Sequence, residues 1–291
     1  MNARCTLAGP VAARGEALFS GRPAMFAIRP AENGGIRFRR VDLPGRPEIP
    51  ALIDHLDPTP VHAAFRNMPA RCTTLGTADA RIALTEHILG ALHGLGITDA
   101  VIEVDGPEMP IFDGSAGMFT IQIRAIGVTA LPDCIAPVPV TTPITINDGK
   151  GGIITASPRT SPGCSYTYHL DYGPNPALAP QSATWTRDDD RSGEIFARQV
   201  APARTFCLEE EARAMHKAGL FTHLDFSDML VLGPYGPIDN ELRYIDEPSR
   251  HKLLDLIGDL ALVGRPIQAD IVATRSGHAL NHELARAIAR L

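Results

Sequence analysis

The chain has 291 residues, of which 44% are hydrophobic and 21% are charged, and its formal net charge is −6. These values are typical of a globular protein with a sizeable core, and the negative balance excludes a globally basic nucleic-acid-binding surface. We therefore expect no nucleic-acid partner. The sequence also contains no run of about 18 apolar residues, so we expect no membrane-spanning segment.

The N-terminus and the cysteines indicate the cellular compartment of the protein. The first twenty residues, MNARCTLAGPVAARGEALFS, lack the continuous apolar core of a signal peptide. The five cysteines are odd in number, widely spread and without a CxxC pair, which favours reduced thiols over disulfides. We therefore expect a cytoplasmic protein.

The first 130 residues are predicted to contain both strands and helices. Short alternating or β-branched stretches bounded by Gly and Pro predict strands in CTLAGPVAARG, PAMFAIRPA and GIRFRRVDL. In TEHILGALHGLGI the apolar residues recur at helical spacing, and Thr85 is the predicted N-cap, which puts Glu86 and His87 in the first turn. DAVIEVDG then predicts a strand, and GSAGMFTIQIRAIG predicts a second helix.

The segment LPDCIAPVPVTTP, residues 131–143, has four prolines in thirteen residues and is predicted to be a linker. Beyond it, PITINDG, GGIITASP, CSYTYHLDY and IQADIVAT predict strands, and helices are predicted near 208–217, 251–262 and 280–291. Because strands and helices recur in both halves, we expect an α+β fold with two similarly built domains, each a sheet packed with helices. The predicted domains are residues 1–130 and 144–291.

His251 and Asp255 suggest a metal site. They lie at positions i and i+4 of a strongly periodic helix, so their side chains share one face about 5–6 Å apart. Such a pair suits two ligands of one metal, although by itself it also suits a surface ion pair. Glu86 and His87 are adjacent and diverge by about 100° around their helix. That divergence fits one residue binding a metal while its neighbour addresses a metal-activated water.

His278 and His282 form a rival pair. They are also separated by four residues, a spacing common in zinc sites. His278 follows a predicted strand and a glycine at the start of a helix, where functional side chains are often displayed. Spacing alone does not decide between His282 and Asp255 as a ligand.

Four segments together resemble the UDP-3-O-acyl-N-acetylglucosamine deacetylase family, the zinc enzymes of the committed step in lipid A biosynthesis. The segments are TEHILGALHGLGITDAVIEVDGPEMPIFDGSA, ARTF (203–206), LRYIDEPSRHKLLDLIGDL and SGHALNHEL. The resemblance spans nearly the whole chain, and four long motifs in this order are far more specific than one His–Asp pair. It implies an active site at the interface of the two domains.

The resemblance also implies a ligand set. The family's zinc ligands fall on His87, His251 and Asp255, and two histidines with one carboxylate suit ferrous iron as well as zinc. His282 stands where the family usually has Asn, so the resemblance argues against His282 as a ligand.

Further matches concern proton transfer and substrate contact. The family's general base falls on Glu86, and its assisting histidine falls on His278, with Asp259 as the orienting carboxylate. Thr205 matches the threonine that helps to polarise the amide oxygen. Two matches imply substrate contact, namely Lys252 near the nucleotide sugar and Phe206 after the threonine.

The chain departs from the family pattern near its N-terminus, at residues 223–225 and at Cys207, which replaces a glycine after the ARTF motif. Phe19 in GEALFSG replaces a histidine close to the family's active site, and residues 223–225, His-Leu-Asp, replace Gly-Gly-Ser. Two glycines permit close backbone approach, so bulkier residues are expected to narrow the family's apolar passage for an acyl chain. The stretch YHLDYGPNPALAPQSATW (168–185) is predicted to be the insert that helps to form this passage.

The function implied is hydrolysis of the N-acetyl group of UDP-3-O-acyl-N-acetylglucosamine, a UDP-sugar with an acyl chain, to a free amine and acetate. One alternative is a divergent paralogue that deacetylates another N-acetylated sugar. The other is a non-catalytic protein that binds a sugar nucleotide or a lipid precursor. Glu86 and His278 argue against this last reading, because a pure binder needs neither. We expect a monomer.

Overall fold

The computed structural model describes residues 2–66, 68, 70–77, 79–174, 177–187, 190 and 192–291. The strands of the N-terminal half are β1 (Asn2–Leu7), β2 (Val11–Glu16), β3 (Pro23–Pro30), β4 (Ile36–Arg40), β5 (Glu48–Pro50), β6 (Leu75–Thr77), β7 (Ala80–Ile82), β8 (Ala100–Val104) and β9 (Val128–Ile135). Those that follow are β10 (Val138–Pro139), β11 (Ile144–Asn147), β12 (Ile153–Ser157), β13 (Cys164–Leu170), β14 (Gln181–Thr186), β15 (Phe206–Leu208), β16 (Leu230–Gly233), β17 (Gly236–Pro237) and β18 (Ile267–Thr274). The α-helices are α1 (Glu86–Gly94), α2 (Gly117–Ile126), α3 (Glu194–Gln199), α4 (Glu209–Lys217), α5 (Glu247–Leu260) and α6 (His278–Ala289).

The two halves contain main sheets with the same topology. The strand order is β2-β3-β8-β4-β5 in the first sheet and β11-β12-β18-β13-β14 in the second, where β10 also pairs with β18. In each path the last strand along the chain, β8 or β18, lies in the centre. It runs antiparallel to one neighbour and parallel to the other. The predicted α+β fold with two similarly built halves is confirmed.

Each half also places one helix in the interior. Helix α1 has eight of its nine residues buried, and α5 has twelve of its fourteen buried. A helix that is buried on nearly all sides is a core element, and here α1 packs against α5 while α5 also packs on β13 and β14. The polar residues of these two helices are therefore enclosed by the core.

Glycines allow α1 and α5 to approach closely. A Cβ at Gly258 of α5 would lie 2.1 Å from the carbonyl oxygen of Glu86, and a Cβ at Gly90 of α1 would lie 2.7 Å from Cδ1 of Leu254. The first contact is with a backbone atom, which cannot move away by a rotamer change as a side chain can. Gly258 is therefore required for the observed distance between the two helices.

The segment predicted as a linker takes part in pairing. Its first residues belong to β9, which pairs antiparallel with β1, and β10 pairs parallel with β18 of the second sheet. Pro132 is accommodated because β1 is the one strand that pairs with β9 in the part of the chain that the structure describes, and an edge strand tolerates a missing N–H donor. The division into domains at 1–130 and 144–291 stays a proposal.

A small separate sheet completes the fold. Strands β15, β16 and β17 form a separate three-stranded sheet, on which α4 packs. Among the residues that the structure describes, no helix combines the length and apolar character needed to cross a bilayer.

Gly258→Ala is expected to destabilise the protein by about 1–3 kcal/mol, the usual cost of overpacking a core, because the new methyl group would overlap the backbone of Glu86. Chemical denaturation measures this change. Gly106→Ala is the control, since nothing lies within 4 Å of a Cβ at that position. Equal unfolding midpoints for the two variants would contradict the interpretation.

Candidate metal centre and catalytic site

His87, His251 and Asp255 come together from the two interior helices. Their ligand atoms lie within 4.8 Å of one another, and all three residues are buried. Oδ1 of Asp255 is 3.3 Å from Nε2 of His251 and 3.6 Å from Nε2 of His87. The two imidazole rings are nearly perpendicular, with centroids 5.1 Å apart. This arrangement directs three potential ligand atoms at one point.

The orientation of His251 is fixed by the backbone. Its Nδ1 lies 3.1 Å from the carbonyl oxygen of Ala203, so Nδ1 carries the proton and Nε2 is left with a free lone pair. Burial lowers the pKa of His251 to about 3, against the opposing effect of Asp255. The ring is therefore neutral at pH 7, which is the form that binds a metal.

Asp255 uses one oxygen for an ion pair and leaves the other unpaired. Oδ2 accepts a hydrogen bond of 2.7 Å from Nζ of Lys252, whereas Oδ1 is buried and has no hydrogen-bond partner among the described residues. Burial favours the neutral acid, but His251 and Lys252 outweigh it and hold the pKa of Asp255 well below its usual range. A buried, unpaired carboxylate oxygen is costly, and a cation bound between it and the two histidines would satisfy it. The residues present thus fit a divalent metal.

Glu86 lies directly beside the first histidine of this group. Helix α1 begins at Glu86, as predicted, so Glu86 and His87 occupy its first turn. The Oε2 atom of Glu86 accepts a hydrogen bond of 2.9 Å from the backbone N–H of Thr73. Burial raises the pKa of Glu86 above its usual value, which makes this carboxylate a better proton acceptor.

His278 approaches the same place from the start of α6. Its Nε2 lies 4.0 Å from Oδ2 of Asp255, and its Nδ1 lies 2.8 Å from Oδ2 of Asp259. Asp259 also accepts a hydrogen bond of 2.9 Å from the amide of Asn281. Burial opposes protonation of His278, but the charge and hydrogen bond of Asp259 outweigh it and raise the pKa of His278 to about 9. The imidazole is therefore cationic at pH 7.

The rival pair also belongs to a compact group, formed by Asp259, His278 and His282. Its atoms are already engaged, because Nδ1 of His278 contacts Asp259 and Nε2 of His282 lies 2.8 Å from Oγ1 of Thr73. Asp259 is not among the described residues that keep a buried, unpaired side-chain atom. This group therefore lacks the unsatisfied ligand atom that Asp255 presents.

Comparison with known proteins adds an independent observation. A family model described as UDP-3-O-acyl N-acetylglycosamine deacetylase matches residues 4–290. The chain is 38% identical over 286 residues to UDP-3-O-acyl-N-acetylglucosamine deacetylase of Anaeromyxobacter dehalogenans (strain 2CP-C), covering 97% of this chain and 86% of the relative. It is 36% identical to the protein of that name from Nostoc sp. over 291 residues, 98% of each chain. For the one from Leptospira biflexa serovar Patoc the identity is 34% over 287 residues, 98% of this chain and 89% of the relative.

The chain belongs to this deacetylase family. The match covers both halves of the fold, so the residues of α1 and those of α5 and α6 all fall within it.

Of the other residues that the family resemblance assigned, Lys252 follows the candidate ligand His251 on α5, whereas Thr205 and Phe206 belong to the ARTF segment, which contacts His251 through Ala203. Thr205 follows two residues after Ala203, the carbonyl partner of His251, and its backbone N–H donates to Gly114 at 2.7 Å. Phe206 begins β15 and packs against the ring of Tyr172, with centroids 6.2 Å apart. The side chain of Lys252 is 22% exposed, so its ammonium can meet a ligand from solution while it pairs with Asp255.

An apolar cavity adjoins Thr205 and Phe206, and α4 and β16 each contribute to its wall. Its lining residues are Leu18, Phe19, Phe65, Arg71, Thr205, Phe206, Cys207, Glu211, Ala212, Met215, His216, Phe221, Leu224, Asp225, Phe226, Met229 and Val231. No described residue of the stretch 168–185, which was predicted to be the insert beside such a cavity, lines it, although Tyr172 contacts the lining residue Phe206, and the assignment of the insert stays a prediction. The described ends of that stretch lie in β13 and β14, which pair with each other in the main sheet, because their alternating pattern fits a half-buried hairpin.

Four residues that depart from the family pattern line this cavity, namely Phe19, Cys207, Leu224 and Asp225. Phe19 packs against Phe65 and Phe221, with ring centroids 5.9 and 5.8 Å apart, and the latter two rings stack at 6.3 Å. Leu224 and Asp225 line the same space. The side chain of His223, the remaining replaced residue, packs over Gly21.

Sequence reasoning missed the supports of the site. Arg204 forms a buried ion pair with Glu247 in the first turn of α5 at 2.8 Å, and this pair fixes the ARTF segment against the ligand helix. Thr73 contacts Glu86, Asp259 and His282. An Arg-x-Phe segment and a buried threonine carry no sequence signal for these contacts, which arise only in the packed core.

His251→Ala is expected to lose the bound metal, because it removes a ligand whose orientation the protein has already fixed. His282→Ala is the matched control and should retain metal, since His282 belongs to the neighbouring hydrogen-bonded group. Metal content per chain, measured by mass spectrometry after dialysis of both purified variants, checks the prediction. The reverse pattern would show that the ligand set is wrong.

Proposed function

We propose that the protein is a metal-dependent hydrolase that removes the N-acetyl group from UDP-3-O-acyl-N-acetylglucosamine, giving the free amine and acetate, a step of lipid A biosynthesis. The observation that carries this proposal is Oδ1 of Asp255, which is buried without a hydrogen-bond partner among the described residues and faces two histidines. Glu86 lies next to one of these histidines in the chain, and His278 reaches Asp255 from α6. The names of the relatives support the substrate.

The metal would be held by His87, His251 and Asp255. Zinc is the expected ion, and ferrous iron suits the same donors. When bound, such a cation supplies Lewis acidity, which lowers the pKa of a water and polarises the acetamide carbonyl. The ion pair of Lys252 with Oδ2 leaves Oδ1 of Asp255 as the oxygen available to it.

Glu86 acts as the general base. Its carboxylate is fixed by the N–H of Thr73 and lies next to a metal ligand in the first turn of α1. Burial raises the pKa of Glu86, and a carboxylate whose pKa is raised accepts a proton more effectively as the water attacks the carbonyl carbon.

His278 and Thr205 stabilise the negative charge that develops on the acetamide oxygen. His278 is positively charged at pH 7 because Asp259 holds its pKa near 9, and a fixed cation at the developing oxyanion is usually a large contribution to catalysis. The Thr205 hydroxyl is a further donor. His278, or Glu86 after it has gained a proton, then protonates the leaving amine.

The acyl chain of the substrate would occupy the apolar cavity beside Thr205 and Phe206. Most of its wall consists of Leu, Met, Phe and Ala side chains, and burial of each methylene of the chain contributes about 0.8 kcal/mol. Lys252, half-buried next to the metal group, would contact the nucleotide-sugar part. The cytoplasmic location and the monomeric state remain predictions.

Turnover of UDP-3-O-acyl-N-acetylglucosamine by the metal-loaded protein, followed as release of acetate, tests the proposed function. We expect activity that Glu86→Gln lowers by about 10²–10⁴-fold, the range typical of general-base catalysis, while metal content stays unchanged. UDP-N-acetylglucosamine without the acyl chain serves as the comparison substrate and should be a poor one. If only the non-acylated sugar were turned over, the assignment of substrate would be wrong, and if neither were, so would the assignment of activity.

Ala212→Phe is expected to obstruct the cavity from α4. Excluding about two methylenes of a long acyl chain costs about 1.6 kcal/mol, or about 15-fold in kcat/KM, and substrates with shorter chains should be affected less. Ala214→Phe is the matched control, because Ala214 lies on the same helix, is exposed and does not line the cavity. A similar loss in both variants, or in neither, would contradict an acyl-binding role.

A further inference from the structure

Thr73 contacts both groups that move protons in the proposed reaction. Its backbone N–H donates to Oε2 of Glu86 at 2.9 Å. Its hydroxyl lies 2.5 Å from Oδ1 of Asp259 and 2.8 Å from Nε2 of His282. Asp259 in turn contacts Nδ1 of His278. One buried residue thus connects the base on α1 with the imidazolium on α6.

The direction of these hydrogen bonds follows from the number of protons available. A hydroxyl has one proton, and an ionised Asp259 can only accept, so Thr73 donates to Oδ1 of Asp259. Nε2 of His282 must then carry a proton and donate to Oγ1 of Thr73. Asp259 receives further donors on Oδ2, from His278 and from Asn281. The chain of donors ends on the carboxylate that orients His278.

The position of Thr73 is itself fixed by its carbonyl group. That oxygen accepts hydrogen bonds from the backbone N–H of Thr85 at 3.1 Å and from its hydroxyl at 3.0 Å. Thr85 is the residue immediately before Glu86, and both threonines are fully buried. The amide, carbonyl and hydroxyl of Thr73 are therefore all bonded to neighbours of the site, and none is available to substrate.

We propose that Thr73 is a positioning residue that holds Glu86 and the Asp259–His278 pair in one geometry, with His282 as the donor that orients its hydroxyl. The inference rests on the proposed function for its kinetic consequence but not for the contacts themselves. His282, which stands where the resemblance places Asn, thereby has a role in the network rather than in metal binding.

Thr73→Val removes the hydroxyl and keeps the shape of the side chain and the backbone N–H. We expect kcat for UDP-3-O-acyl-N-acetylglucosamine to fall about 10–100-fold, as for other groups that orient catalytic residues, with unchanged KM and metal content. Thr73→Ser restores the hydroxyl and should recover most of kcat. The control is Thr74→Val, because the hydroxyl of this buried neighbour is paired with the Cys72 sulfur, and among the described residues it has no hydrogen bond to Glu86, Asp259 or His282. A fall in kcat that Thr73→Ser does not recover would overturn the proposal.

A double-mutant cycle tests the part played by His282. If His282 acts through the Thr73 hydroxyl, His282→Ala lowers kcat on its own but adds little to Thr73→Val, because coupled residues are not additive. Losses that multiply in the double variant would show that His282 acts independently of Thr73.

A proton NMR measurement on the zinc-loaded protein separates this inference from the proposed function. The Nδ1 proton of His278, shared with Asp259, is expected as a downfield resonance that His278→Gln abolishes. Thr73→Val should shift or broaden it, whereas Thr74→Val should not. An unchanged resonance in Thr73→Val overturns the positioning role even if the protein is active, and a shifted one supports it even if the substrate is different.

Discussion

The close approach of α1 and α5 is the constraint on which the candidate site depends. Gly258 lies between Asp255 and Asp259 on α5, and a Cβ there would overlap the carbonyl oxygen of Glu86. Because the limit is set by backbone against backbone, the offset between the first turn of α1 and the middle of α5 is fixed and cannot relax by rotamer changes. That offset brings His87 to the same oxygen of Asp255 that His251 faces.

The repeated topology of the two halves explains why both helices are interior. Each main sheet has its last strand at the centre, and each half contributes one helix to the contact. The ligand group draws on both, since His87 comes from one half and His251 and Asp255 from the other. Burial of a carboxylate costs desolvation free energy. The hydrogen-bond donors around Asp259 offset this cost, whereas Oδ1 of Asp255 has no hydrogen-bond donor among the described residues. Metal binding and the packing of the halves are therefore thermodynamically linked.

Local patterns in the sequence predicted most of the helices and strands, because apolar spacing records which face of an element is buried. Helix α1 begins at Glu86, as the position of Thr85 indicated, and the periodicity around His251 predicted α5. The prediction of a linker at 131–143 did not anticipate β9, since the pairing of β9 with β1 joins residues more than a hundred positions apart. Spacing could relate His251 to Asp255 within one helix, but it could not relate either to His87. His87 could be related to them only through the resemblance to a family. The contacts of Thr73 became evident only in the packed structure.

Most residues that depart from the family pattern lie at the apolar cavity and outside the candidate metal group. Phe19, Leu224 and Asp225 line the apolar cavity, while the groups proposed for metal binding and proton transfer lie on α1, α5 and α6. His282 also departs from the family pattern, but it belongs to the hydrogen-bonded group of Asp259. Phe19 packs with Phe65 and Phe221 in a wall that is mainly apolar, and in an apolar pocket a difference of a methylene or two alters affinity modestly. The hydrogen-bonded groups have no such tolerance, because one lost partner leaves a buried charge unpaired. Substitutions at the cavity can therefore change which acyl chain is bound while the deacetylation chemistry is retained.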